Sequence, residues 1–153
     1  MMIKRFLLFI AVILMVSCSN EERNKIPGIT PSTIELSTAH PEGFFQFMEG
    51  DYAMYAFRID YGKNDTEVSK RITKEILSKE QTVVELSDGN KATIYCKNGI
   101  LQKIEFDFMT ISKVQTGKYK VQLNKNSMQQ VPVAISFGFS VPDGISNIAI
   151  TFK

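Results

Sequence analysis

The chain has 153 residues, of which 44% are hydrophobic and 22% charged, with a formal net charge of +2. That length fits one domain of ordinary size, with enough apolar residues to bury a core without disulfide staples. Lys4 and Arg5 supply the excess positive charge. The rest is balanced, so nothing points to nucleic acid or an acidic partner.

Met1–Asn20 reads MMIKRFLLFIAVILMVSCSN. Lys4 and Arg5 form a short basic lead, and Phe6 to Val16 is an unbroken apolar run. The run suits the hydrophobic stretch of a signal peptide and is too short to cross a bilayer as a helix. Met15-Val16-Ser17-Cys18 closes it. This ending resembles the lipobox of bacterial lipoproteins, with Met15 where Leu is usual. The resemblance implies a signal peptide over residues 1–17, cut between Ser17 and Cys18. It also implies a diacylglycerol on the Cys18 thiol, an acylated new amine, and a place in the outer membrane of a bacterial envelope. A plain secretory signal would want an A-x-A-like ending instead. Each buried CH₂ contributes about 0.8 kcal/mol, so one acyl chain holds weakly and two or three hold firmly. Ser19-Asn20-Glu21-Glu22 resembles the acidic surface-export signal of Bacteroidota lipoproteins, and it suits the solvated start of a linker equally well. The membrane face stays open.

Residues 18–32 are expected to be the lipidated Cys18 and a linker, because Glu21–Ser32 is polar and carries Pro27, Gly28 and Pro31. A single β-rich domain is expected over 33–153. Thr33–Thr38 could be a first edge strand, and Ala39–Gly43 a turn. Phe44–Tyr61 is rich in aromatics, and Gly50-Asp51 breaks it into two strands, which suggests a hairpin. Tyr55, Phe57, Ile59 and Tyr61 share one parity, the mark of a half-buried strand. These rings could form a platform for sugars or a partner protein, but core packing accounts for them more simply.

Thr66–Leu77 is ambiguous. Val68, Ile72 and Ile76 recur every fourth residue and suit a short amphipathic helix capped by Asp65. A strand over Arg71–Leu77 competes. Thr82–Leu86 and Lys91–Cys96 read as a hairpin around Asp88-Gly89. Cys96 shares its apolar face with Ala92 and Ile94. With Cys18 committed to lipid, Cys96 has no disulfide partner, and no Cys/His set exists for zinc. A buried, inert thiol is the expectation, since no basic partner is placed to lower its pKa.

Asn98-Gly99 makes the next turn, and Ile100–Phe108 follows with Ile104, Phe106 and Phe108 inward. Glu105 and Asp107 fall together on the outer face. Paired carboxylates can cleave a glycosidic bond, but one of them needs an apolar pocket to raise its pKa, and a solvated strand face is the simpler reading. Lys118–Leu123 alternates cleanly. Val131–Phe139 alternates most cleanly of all, with Val131, Val133, Ile135, Phe137 and Phe139 inward and small residues opposite. Those small residues suggest close approach by another element, such as the helix. Pro132 marks an edge or a strand start. Pro142-Asp143-Gly144 is a turn, and Ile148, Ile150 and Phe152 define a last strand.

The fold class is therefore mainly β, an antiparallel β-sandwich or barrel with at most one short helix, preceded by a signal peptide and flexible linker. No catalytic residue, metal site or cofactor is expected. The single His, His40, lies in a turn, and no G-x-S-x-G, H-E-x-x-H or P-loop occurs. The expected function is a lipid-anchored envelope module that binds a glycan or protein partner through residues the sequence does not name. The alternatives are a structural accessory of the outer membrane or a surface appendage, and a small hydrolase.

Overall fold

Period-two alternation recurs along most of the chain, and each such stretch must bury one face. The computed structural model describes residues 28–62, 66–68, 71–124 and 132–153. The strands are β1 (Ile29–Thr30), β2 (Thr33–Leu36), β3 (Glu42–Phe47), β4 (Ala53–Asp60) and β5 (Thr66–Val68). A five-residue helix, α1 (Lys74–Ser78), precedes β6 (Gln81–Glu85), β7 (Lys91–Lys97), β8 (Ile100–Glu105) and β9 (Met109–Gln115). Then come β10 (Lys118–Leu123), β11 (Ala134–Val141) and β12 (Gly144–Phe152).

They form two open sheets, not a closed barrel. One has seven strands in the order β1-β3-β10-β9-β8-β7-β6, and the other has five in the order β2-β12-β11-β4-β5. All pairings are antiparallel except β2 with β12. Inward side chains of both sheets meet in one core. Phe139 of the smaller sheet packs edge-on against Phe47 of the larger, ring centroids 4.9 Å apart. Phe57 of β4 does the same with Phe106 at 5.3 Å. A polar group deep in this core is satisfied, as burial requires: the hydroxyl of Tyr119 donates to the Leu101 carbonyl at 3.0 Å.

Several expectations need correction. The domain begins before residue 33: Ile29 is buried and pairs with Phe47, so residues 28–32 belong to the sandwich and not to the linker. Phe44–Tyr61 is not a hairpin. β3 joins the larger sheet and β4 the smaller, so Gly50-Asp51 lies on a crossing between sheets. The period-four pattern of Val68, Ile72 and Ile76 spans two elements, β5 and α1. Thr73 caps α1, its side chain accepting from the Ile76 amide; Asp65 lies outside the described residues. The helix sits by β7, not over the small residues of β11. β8 stops at Glu105, and Phe106 to Met109 turns the chain into β9, a strand the sequence reading left unassigned. Val133 is exposed and precedes β11, while Val131 lies outside the described residues.

Candidate functional site

Strand register assembles a site that no single motif announces. Phe44 lies opposite Lys120, Lys120 opposite Ser112, Ser112 opposite Lys103, and Lys103 opposite Tyr95. These five residues form one row across the outer face of the larger sheet. Four strand spacings of about 4.8 Å give the row a length of about 19 Å. A second row runs beside it through Glu42, Gln122, Thr110, Glu105 and Thr93.

The charges in these rows are held in place. Lys120 Nζ lies 2.7 Å from Glu42 Oε1, and Lys103 pairs with Glu105. The Tyr95 hydroxyl donates to Glu105 Oε2 at 3.0 Å, while Lys103 lies over the Tyr95 ring at 5.7 Å. At the other end Lys118 lies 5.5 Å from the centre of the Phe44 ring. Phe44 keeps 46% of its surface in solvent. The hydrogen bond from Lys103 lowers the Glu105 carboxyl; burial opposes this and the Tyr95 hydrogen bond adds to it. The same bond to Glu105 raises the Tyr95 phenol. The face thus offers aromatic planes at both ends and fixed donors and acceptors between them. That suits contact with a polyhydroxylated or polar surface.

Of the seven rings of Phe44–Tyr61 that could form a platform, Phe45, Phe47 and Phe57 are buried and Tyr52, Tyr55 and Tyr61 half-buried, leaving Phe44 alone well exposed. Glu105 and Asp107 do not form a catalytic pair. Glu105 is on β8 with its carboxyl held ionised by Lys103, and Asp107 is in the turn that follows. A general acid needs the opposite shift. Cys96 is a buried free thiol facing inward with Ala92 and Ile94. It borders a cavity of about 550 Å³ with Leu77, Glu80 and Asn98, and burial pushes the thiol pKa up. A thiolate nucleophile is therefore disfavoured there. His40 is exposed, its amide donating to Ser37 Oγ at 3.1 Å. Ser17 and Cys18 lie outside the described residues.

Among the described residues no group of three His, Cys, Asp or Glu side chains is placed to hold a metal ion. Comparisons with protein-family models, with curated proteins and with solved structures find no match. The row escaped sequence reading because it depends on register. Each strand's outward parity was readable, but which outward residue faces which was not, and β9, which contributes Ser112, had not been assigned.

Proposed function

We propose that this chain is a lipid-anchored module of a bacterial envelope, tethered through Cys18, which presents the outer face of its seven-stranded sheet to a glycan or protein partner. The tether rests on the lipobox-like Met15–Cys18. The binding role rests on the Phe44–Lys120–Ser112–Lys103–Tyr95 row. Aromatic rings accept the apolar faces of sugars or partner side chains, and the flanking ion pairs supply hydrogen bonds to hydroxyl or backbone groups. Preformed pairs such as Lys103–Glu105 lose little side-chain freedom on binding, which favours affinity.

Co-sedimentation with purified cell-wall and surface polysaccharides tests the glycan arm. Phe44→Ala should reduce retention several-fold and leave the melting temperature within a degree or two, because nearly half of the residue is already in solvent. Equal retention of Phe44→Ala and parent would remove this face from the account. The reading as a structural accessory is favoured by one separate observation, the place of β6 at the edge of its sheet among the described residues.

A further inference from the structure

Both sheets end in edge strands, and three of the four are short. β1 has two residues and β5 three, while β2 has four, follows Pro31 and carries Glu35 in an ion pair with Lys153 at 2.7 Å. Short edges, prolines and charges are the usual guards against further pairing. β6 has five residues, Gln81-Thr82-Val83-Val84-Glu85, with no proline and no lysine.

Its hydrogen-bond phase is fixed at both ends. The Cys96 amide donates to the Glu80 carbonyl, and the Leu86 amide donates to the Asn90 carbonyl, both at 2.9 Å. An antiparallel ladder alternates, so Thr82 and Val84 bond to β7, and the backbone groups of Gln81, Val83 and Glu85 turn outward. Val83 also leaves 52% of its surface in solvent.

We infer that β6 pairs antiparallel with β6 of a second copy of this chain, about a two-fold axis through Val83, joining two seven-stranded sheets into one. The strand's own sequence selects this partner. The axis places Val83 against Val83 of the partner subunit, so two exposed apolar side chains cover each other. It places Gln81 against the partner's Glu85, an amide donor against a carboxylate, and Thr82 against the partner's Val84. Lys91 already neighbours Glu85 at 3.5 Å, so no like charges meet in any row. A parallel in-register pairing would instead oppose the two Glu85 carboxylates, which is unfavourable. A C₂ contact is also self-limiting, because each copy has one such edge.

Disulfide trapping on the full chain in detergent tests the inference, with single cysteines introduced under mild oxidation. In this register the two Val83 Cα atoms are about 5.5 Å apart, within disulfide reach. The two Gln81 Cα atoms are about 14 Å apart, beyond it. Val83→Cys should cross-link to a covalent dimer at least tenfold faster than Gln81→Cys or Glu85→Cys alone. An equal mixture of Gln81→Cys and Glu85→Cys should cross-link about half as fast as Val83→Cys, because about half of randomly formed dimers are mixed, and far faster than either alone. Sedimentation of the parent should show a dimer, and Val83→Lys, which sets two ammonium groups against each other on the axis, should lower the dimer fraction at least tenfold with an unchanged melt. A parent that sediments as a monomer, or single-cysteine variants that all cross-link equally, would overturn the inference.

Discussion

Asp51 holds the loop that carries the chain from one sheet to the other. Its carboxylate accepts from Lys113 Nζ at 2.7 Å and from the Gly117 amide at 2.8 Å. Both charged side chains are only 18% exposed, so this pair is screened less than the surface pairs. Burial raises the Asp51 pKa, but the hydrogen bonds from Lys113 and Gly117 and the Lys113 charge outweigh it and leave the group below its ordinary value. A carboxyl depressed in the folded state contributes stability above its unfolded pKa and loses it as pH falls through the folded one. Stability should therefore decline below about pH 4, and Asp51→Asn should flatten that decline while costing about 1–3 kcal/mol at neutral pH. Urea melts at a series of pH values check this, and an unchanged acid limb in Asp51→Asn would rule out Asp51 as its source. Gly117 closes the same contact. Its φ is +67°, and a Cβ there would lie 2.5 Å from the Gly50 carbonyl oxygen. Gly117→Ala should destabilise by more than the ~1 kcal/mol that left-handed backbone alone costs a non-glycine residue; a melt matching the parent would mean that the Gly50 loop yields freely.

β11 shows how far alternation alone can be read. Phe137 is fully buried, 6.0 Å from Phe57 and 6.1 Å from Phe106 between ring centroids. Phe137→Ala should cost roughly 3–5 kcal/mol. Ser136 faces the other way, between Arg58 and Ala149, and is only half-buried. Ser136→Thr should cost about 0.5 kcal/mol or less. Thermal melts of the two decide the strand's facing; equal losses would mean that both faces are covered. The facing of β7, β10, β11 and β12 was legible because strand burial has a strict period of two. The pairing of β3 and β4 was not, because a break such as Gly50-Asp51 looks the same whether the chain folds back in one sheet or crosses to another. The segment around Ile72 misled for a related reason. Its apolar spacing serves an extended stretch and then a helix whose start is set by the Thr73 cap, and periodicity cannot see that boundary. Thr66–Val68 pairs with β4 instead of joining a helix. The outer row was beyond reach for want of register, since Phe44 and Tyr95 are brought to one surface by three intervening strands.

At the scale of the whole molecule, the two sheets separate their tasks. The smaller sheet presents small side chains outward, among them Ala56, Ser136, Gly138 and Ala149, and mainly closes the core. The larger carries the row that ends in Phe44 and Tyr95 and, at its far edge, β6. The two sheets are also strapped together near that edge: the Tyr61 hydroxyl, just past β4, donates to Asp88 Oδ2 at 2.7 Å in the β6–β7 turn. This strap holds β6 against the body of the domain. β1 starts at Ile29, so the proposed lipid at Cys18 is joined to the sandwich by the short run Ser19–Gly28. A tether of that length would keep the module close to the membrane surface. The account depends most on this proposed tether, because it would make the protein an envelope component and confine its partners to that surface. Metabolic labelling with radioactive palmitate, followed by detergent phase partition of the parent and Cys18→Ala, tests it most directly. The parent should carry label and enter the detergent-rich phase, and Cys18→Ala should do neither. Label on Cys18→Ala, or an unlabelled parent in the aqueous phase, would contradict it.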